Sequence, residues 1–300
     1  MSIIKSLAVG SGDMFYIVHG NDSFTLIDCD LNEENAGRII AEIQEQSRSK
    51  AIRRFICTHP DDDHFGGLHW LDDSWPIKNF YVVQNQAIKD QNTESFRRYC
   101  ELRDDTMKSF YLSKGCRRKW LNESDEARGS AGLSVLWPEL NNVHFKAALA
   151  ACDAGQNFNN TSAVLRYSIG KASFLWLGDL ETQFMEKITD EIELSKTTVV
   201  FAAHHGRSSG KIPDSWLRKL DPQIIVLGEA PSRHMHYYTG YETITQNSAG
   251  DITMDCSGDQ VHFYVGNAGY RGPSLANLGL NKFPNYLGSL MVETKYTLWD

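Results

Sequence analysis

Residues 59–64 place five ionisable side chains within six positions, directly after the apolar run of residues 55–57. These side chains are two imidazoles and three carboxylates, from His59, Asp61, Asp62, Asp63 and His64. Imidazoles and carboxylates suit zinc, manganese or iron, and a strand that ends in a loop lets neighbouring side chains converge on one ion. An acidic turn with two incidental histidines is the competing interpretation. The density of ligand groups favours a metal site at a strand end.

Three further segments finish an apolar run with an aspartate or a histidine. They end at Asp28, at Asp179 and at the pair His204 and His205. In order and spacing, the four segments resemble the metal-binding motifs of the metallo-β-lactamase superfamily, whose signature is His-x-His-x-Asp-His followed by Gly-Gly. Asp61 stands where that signature has its second histidine. The resemblance implies an α/β fold, the four-layer αββα sandwich.

The second half of the chain resembles one subgroup of this superfamily. Residues 159–165, 178–181 and 204–209 are similar to the metallo-β-lactamase domain of ComEC/Rec2-like DNA-uptake proteins, within a span of about 5–265. We therefore predict one catalytic domain over residues 1–265, with an insertion at about 84–132 that carries substrate selectivity. Residues 266–300 are predicted to form a C-terminal extension that acts as a cap or a self-association segment.

The superfamily pattern implies a role for each matching residue. His59 and Asp61 would bind a first divalent ion, Asp63 and His64 a second, and Asp179 would bridge the two. Asp28 would orient the metal loop by hydrogen bonds. His204 is preferred over His205 as the last ligand of the second ion, because adjacent side chains on an extended segment point in opposite directions.

Two departures from the superfamily pattern affect the first ion. Asp61 replaces an imidazole, and the third motif has Asn159 or Asn160 in place of its histidine. A site richer in oxygen shifts the metal preference from zinc toward manganese, magnesium or iron. We therefore predict two divalent ions, zinc or manganese, with iron as a further candidate.

The ComEC-like resemblance implies hydrolysis of a phosphodiester by a metal-bound hydroxide at a dinuclear site. Asp63 and Asp179 would be catalytic through the metals. His236, with His234 before it, would protonate the leaving group or hold a phosphate oxygen, or would belong to a surface turn. Ser208 and Asn160 would contact the substrate. Ser208, as a small turn residue, has a structural alternative.

Two other functional classes remain open. The same metal chemistry supports hydrolysis of a carbonyl substrate, such as a lactone or thioester, and fold analogy alone does not separate it from phosphodiester hydrolysis. The alternative outside enzymes is a partner module without catalysis, in which Asp61 and the missing histidine mark a degenerate site. The joint presence of His59, Asp63, His64, Asp179 and His204 argues against degeneration.

Composition limits the partners. The net charge of −8 argues against a broad duplex-binding surface, because duplex binding depends on Lys and Arg that neutralise phosphates. A nucleotide or single-stranded nucleic acid is the favoured substrate, and the C-terminal extension is the candidate surface for a homo-oligomer or protein partner.

The six cysteines have no paired spacing, and no apolar stretch suits a membrane span or a signal peptide. We expect a soluble, cytoplasmic protein that does not bind a membrane.

Periodicity predicts alternating strands and helices along the chain. Predicted strands include residues 14–18, 24–28, 53–58, 80–83, 135–137, 163–167 and 174–177. Helices are predicted at residues 33–46, 181–188, 213–220 and 241–246.

Overall fold

The computed structural model describes residues 1–229 and 236–293, which contain two large β-sheets. The strands of the first sheet are β1 (Ser2–Ser6), β2 (Phe15–Val18), β3 (Ser23–Ile27), β5 (Ile52–Cys57), β6 (Phe80–Val82), β7 (Ser109–Tyr111), β14 (Ile252–Ser257), β15 (Gln260–Val265) and β16 (Tyr286–Met291). This nine-stranded sheet has the order β16-β15-β14-β1-β2-β3-β5-β6-β7. The short strand β4 (Cys29–Asp30) forms isolated bridges to Phe65 and Gly66.

The second sheet has six strands. They are β8 (Leu133–Trp137), β9 (Val164–Ile169), β10 (Ala172–Trp176), β11 (Val199–Phe201), β12 (Ile224–Leu227) and β13 (Thr243–Thr245). Their order in the sheet is β13-β12-β11-β10-β9-β8. Strands β10 to β13 are parallel, and so are β3, β5, β6 and β7 in the other sheet. Parallel strands end at the same edge of a sheet, so each sheet presents a row of adjacent loops there.

Helices connect many of these strands. They are α1 (Ala36–Ser47), α2 (Asp62–Phe65), α3 (Leu68–Ser74), α4 (Glu94–Asp104), α5 (Val143–Asp153), α6 (Thr182–Lys187), α7 (Asp214–Leu220) and α8 (Gln246–Ala249). Short 3-10 turns lie at Asn159–Thr161, Ala203–Gly206 and Ser208–Gly210.

Two apolar clusters show how these layers pack. One joins α1, α3 and α4 to the outer face of the nine-stranded sheet, through residues such as Ile39, Leu71 and Tyr99. The larger cluster fills the space between the sheets and continues to the helices beside the six-stranded sheet, as with Ile17 and Trp216. The order of layers is therefore helix, sheet, sheet, helix. The predicted αββα sandwich is confirmed.

Most of the predicted elements lie where periodicity placed them. Apolar residues at helical spacing bury Ile39, Ile40 and Ile43 on one face of α1, as predicted for residues 33–46. The helix predicted at 241–246 is wrong, since Thr243–Thr245 forms β13 in parallel pairing with β12. The threonines suit a strand because their branched Cβ packs well on a pleated surface, and the neighbouring strand β12 supplies the hydrogen bonds.

Part of the predicted C-terminal extension joins the main sheet. Strand β16 pairs antiparallel with β15 at the end of the nine-stranded sheet. The division into residues 1–265 and 266–300, and the role of residues 84–132, stay predictions. Within residues 1–229 and 236–293, none of the helices has the length and apolar character that a membrane crossing requires.

Candidate metal centre

The ends of four strands bring the predicted metal-binding segments together. Asp28 follows β3, and the loop that starts at Thr58 follows β5, which is the parallel neighbour of β3. In the facing sheet, Asp179 follows β10 and the His204–His205 pair follows β11, again as parallel neighbours. The site is therefore a junction of loops from both sheets, where side chains distant in sequence meet.

Asp28 holds the metal loop in place. Its carboxylate accepts hydrogen bonds from the Thr58 backbone N–H at 2.7 Å and from Thr58 Oγ1 at 2.7 Å, and lies 2.9 Å from His64 Nδ1. Asp28 is buried and has a positive φ of 55°, which an aspartate tolerates better than most residues. The contact with Nδ1 directs Nε2 of His64 toward the centre of the site. These are the contacts that the orienting role predicted for Asp28 requires, and the role itself stays a prediction.

Asp179 lies among four imidazoles. Its Oδ1 is 3.2 Å from His64 Nε2, and its Oδ2 is 3.5 Å from His205 Nε2, 3.6 Å from His204 Nε2 and 4.0 Å from His59 Nε2. The turn before it depends on Gly178, whose φ is +53° and where a Cβ would lie 2.7 Å from Ser162 Oγ. Ser162 Oγ in turn accepts a hydrogen bond from the Asp179 backbone N–H. This central position suits a bridging carboxylate.

Asp63 completes an inner group of ligands. Its Oδ2 is 3.3 Å from His205 Nε2, and its Oδ1 is 3.8 Å from His64 Nε2. We call Asp63, His64, Asp179 and His205 the inner cluster. Two imidazoles and two carboxylates form a donor set that fits a divalent ion such as zinc or manganese.

Several buried atoms of this site have no hydrogen-bond partner among the described residues. They include His59 Nε2, His64 Nε2, His205 Nε2 and Asp179 Oδ1. These atoms lie close together, but their arrangement does not form hydrogen bonds between them. Buried polar groups without partners cost free energy, and a cation shared by His64 Nε2, His205 Nε2 and Asp179 Oδ1 would satisfy these three atoms at once. The residues therefore fit the divalent metal that the fold implies.

The two adjacent histidines both face Asp179. Consecutive left-handed conformations, with φ of 51° at His204 and 57° at His205, turn the chain so sharply that the side chains do not alternate. The premise that this segment is extended, which favoured His204 over His205, is wrong. His205 is buried and lies against Asp63, whereas His204 is partly exposed and contacts Ser209 Oγ at 2.8 Å through Nδ1. The geometry favours His205 for the inner cluster.

Asp13 was missed from the sequence. Its Oδ1 is 3.0 Å from His205 Nδ1, and its ligand atom lies within 4.8 Å of those of His64, Asp179 and His205. By engaging Nδ1, Asp13 leaves His205 Nε2 facing the inner cluster. The feature of the sequence that could have pointed to Asp13 is the glycine before it, Gly12. A Cβ at Gly12 would lie 2.4 Å from the backbone oxygen of Asp63. Only glycine lets the two loops approach so closely.

The charges of the inner cluster compensate one another. Burial lowers the pKa of His64, but the carboxylates of Asp179 and Asp28 outweigh it, so that pKa lies well above its usual range. The pKa of His205 is raised in the same way, against burial, by Asp13 and Asp179. Burial raises the pKa of Asp179, but the opposing effect of His205 and His64 is larger and lowers it well below the ordinary value.

His59 has a different environment from the other buried imidazoles. Burial, followed by the charge of His64, lowers the pKa of His59 to about 3. Its Nδ1 is 3.2 Å from Thr58 Oγ1, which leaves Nε2 on the side of Asp179. The buried imidazole of His59 is therefore neutral, and its Nε2 has no hydrogen-bond partner among the described residues.

The remaining predicted residues lie outside the inner cluster. Asp61 is ion-paired with Lys89, and Asn160 hydrogen-bonds Glu181. Ser208 is exposed beside the turn that carries the two histidines. His236 is exposed, with its ring 4.8 Å from that of Tyr237. His234 lies outside the described residues.

An arginine that the sequence did not single out lies at the edge of the site. Arg207 Nη1 is 3.5 Å from His204 Nε2, and Nη2 donates a hydrogen bond to the backbone oxygen of Ser11 at 3.4 Å. The side chain is only partly buried. A guanidinium in this position adds positive charge next to the metal ligands and can contact an anionic substrate.

Known proteins are similar to parts of this chain. Residues 7–98 match the metallo-beta-lactamase superfamily. ComE operon protein 3 of Bacillus subtilis (strain 168) is 21% identical over 188 residues, which are 63% of this chain and 21% of that protein. This chain thus spans about a fifth of the length of that relative. A solved structure, Igni18, a novel metallo hydrolase from Ignicoccus hospitalis KIN4/I, aligns with 12% identity and a TM-score of 0.45, covering 85% of this chain and 100% of Igni18. Over residues 7–98 the chain is therefore similar to the metallo-beta-lactamase superfamily, and over part of its length it is similar to ComE operon protein 3.

Proposed function

We propose that this protein is a metal-dependent phosphodiesterase that cleaves nucleotides or single-stranded nucleic acid. The observation that carries the proposal is the guanidinium of Arg207 beside His204 at the edge of the inner cluster. Fixed cations next to a metal centre suit phosphoryl substrates, whose oxygens carry negative charge throughout the reaction. The neutral carbonyl of a lactone or thioester gains less from such a cation before attack.

The inner cluster would hold the divalent ion, with Asp13 and Asp28 orienting its two imidazoles. A bound divalent ion would supply Lewis acidity and lower the pKa of a water molecule. The sequence predicts two ions, zinc or manganese, with the first between His59 and Asp61. The two carboxylates of the inner cluster make manganese a good match.

The protein's own residues would bind and orient the phosphodiester. The planar guanidinium of Arg207 can donate two parallel hydrogen bonds to phosphate oxygens. Ser208 directly follows Arg207, and its exposed side chain is available as a further hydroxyl donor at the same edge. Both donors therefore belong to one short segment beside the inner cluster. A general-acid role for His236 remains a prediction, as do a cytoplasmic location and self-association through residues 266–300.

The test is hydrolysis of bis(p-nitrophenyl) phosphate and of a labelled single-stranded oligonucleotide. Chelator-treated protein is supplied again with manganese or zinc, and the Asp179→Ala variant is assayed beside it. Asp190→Ala is the matched control, because the Asp190 side chain is 99% exposed. We expect metal-dependent cleavage that is lost in Asp179→Ala and retained in Asp190→Ala.

A second variant separates phosphodiester from carbonyl chemistry. Arg207→Ala should raise KM for the phosphodiesters and leave hydrolysis of p-nitrophenyl acetate unchanged, whereas Arg207→Lys should retain part of the effect. Turnover of lactones or thioesters, with no cleavage of either phosphodiester, would contradict the proposal. Full phosphodiesterase activity in Asp179→Ala would contradict it as well.

A further inference from the structure

The outer half of the metal centre differs from the inner cluster. The sequence places His59, Asp61 and either Asn159 or Asn160 there, and we call His59 and Asp61 the outer pair. His59 Nε2 is 4.0 Å from Asp179 Oδ2. Among the described residues, the group whose ligand atoms lie within 4.8 Å of one another is Asp13, His64, Asp179 and His205, and it contains neither Asp63 nor a member of the outer pair. What separates the outer pair from Asp63 is therefore the set of contacts that its members make.

Lys89 already provides a cation for Asp61. Its Nζ is 2.9 Å from Asp61 Oδ1 and 3.0 Å from Asp62 Oδ2, and the Lys89 side chain is only 8% exposed. The ammonium also lies 4.1 Å from the ring centroid of Phe158 and 5.4 Å from that of Phe65. Two carboxylates and two aromatic faces fix the charge in one place.

Asp61 also has a structural task. It is the N-cap of α2, where its Oδ1 accepts a hydrogen bond from the Asp62 backbone N–H at 2.9 Å. The same oxygen contacts Lys89. Oδ1 of Asp61 thus serves the helix and the ammonium together, which fixes the position of this carboxylate beside Lys89.

Asn160 is occupied as well. Its Nδ2 donates a hydrogen bond to Glu181 Oε2 at 2.7 Å, and its Oδ1 accepts one from the Glu181 backbone N–H at 3.1 Å. Both ends of the amide are therefore used by one neighbour. Asn160, one of the two asparagines at the place of the missing third-motif histidine, is therefore engaged by Glu181.

The nearest remaining imidazole has a cation beside it. His204 Nε2 is 3.6 Å from Asp179 Oδ2, but Arg207 Nη1 lies 3.5 Å from the same nitrogen. A second divalent ion bound by Asp61 would have the ammonium of Lys89 beside it, and one bound by His204 would have the guanidinium of Arg207 beside it. Like charges that share a ligand repel each other.

We propose that this protein binds one divalent ion, in the inner cluster, and that the ammonium of Lys89 takes the place of the second ion. Lys89 is a positioning residue that holds Asp61 and the metal loop. The inference rests on the divalent ion of the proposed function and replaces the expectation of two ions. The test of the one-ion proposal counts bound ions and does not measure activity. A protein that binds one ion but cleaves no phosphodiester would therefore contradict the proposed function alone.

The test is a count of manganese ions in the whole chain. Protein stripped with a chelator is equilibrated with manganese, passed through a desalting column and analysed by elemental mass spectrometry. We expect one ion per chain, with the six-line electron paramagnetic resonance signal of isolated Mn²⁺. Two ions per chain, or the signal of an exchange-coupled pair, would overturn the proposal, and no bound ion would overturn it together with the metal centre.

Variants of Lys89 test its part directly. Lys89→Met keeps most of the side-chain length and removes the charge, so a second manganese should bind at least tenfold more tightly than to the wild type. Lys89→Arg keeps the charge and should still bind one ion, as should Lys78→Met at an exposed lysine. An unchanged second-ion affinity in folded Lys89→Met would overturn the role of Lys89. If that variant does not fold, the wild-type count and its spectrum still decide the number of ions.

Discussion

Asp28→Asn should weaken metal binding without a comparable loss of fold. The asparagine has nearly the same shape, and asparagine tolerates the positive φ of 55° at this position. Its carbonyl can still accept the hydrogen bond from the Thr58 N–H. Its amide N–H₂, however, would donate to His64 Nδ1, where the carboxylate now accepts. His64 would then carry its proton on Nε2, the nitrogen that faces Asp179 and the metal.

The size of the effect follows from the role of that contact. Loss of a partner that orients a metal ligand costs about 10–100-fold in affinity, which is about 1.4–2.8 kcal/mol. Calorimetric titration of chelator-stripped protein with zinc or manganese measures it. Asp255→Asn is the matched control, because Asp255 is also buried but its partner is Lys282, 2.7 Å away.

Two results would refute this reasoning. Metal affinity within twofold of the wild type in folded Asp28→Asn would show that the tautomer of His64 does not matter. An equal loss in Asp255→Asn would show that the effect comes from general destabilisation. A thermal melt of each metal-free variant provides the check on folding.

Other predictions concern the loops and the buried charges. Gly12→Ala should destabilise the protein by about 1–3 kcal/mol, because its Cβ would lie 2.4 Å from the backbone oxygen of Asp63. Gly37→Ala lies in α1 with open space around it and should stabilise the protein by about 0.4–1 kcal/mol. Urea unfolding measures the free energy of unfolding of both variants. Burial, then Arg54 and Lys50, lowers the pKa of His19 well below 6.5, so the unfolded chain binds a proton that the folded chain does not. Stability should therefore fall as the pH drops below about 6.5, by at most about 1.4 kcal/mol per pH unit from this group, and less steeply in His19→Gln. An unchanged slope in His19→Gln, or equal effects of the two glycine variants, would contradict these predictions.

The sequence predicts the fold well, and it also predicts which strand ends lie together, for a physical reason. Each metal-binding segment is an apolar run that ends in a polar group, and the parallel pairing of β3 with β5 and of β10 with β11 brings those ends together. The ends of strands can be predicted from the local hydrophobic pattern of the sequence. The place where these ends meet can therefore be predicted as well.

Contacts between segments distant in sequence could not be predicted from the local hydrophobic pattern. Asp13 reaches His205 from the loop before β2, and Lys89 reaches Asp61 from the segment after β6. Neither pair leaves a periodic signal in the chain. The left-handed backbone of His204 and His205 is similarly hidden, because it depends on the packing of the turn and not on the propensity of histidine.

The most direct test of the metal centre is an anomalous difference map from a crystal soaked with zinc or manganese. We expect one strong peak within about 2.0–2.3 Å of ligand atoms from Asp63, His64, Asp179 and His205. The His59 and Asp61 pair should carry no second peak of similar height. A map without a peak in the inner cluster, or with its only peak elsewhere, would contradict the account.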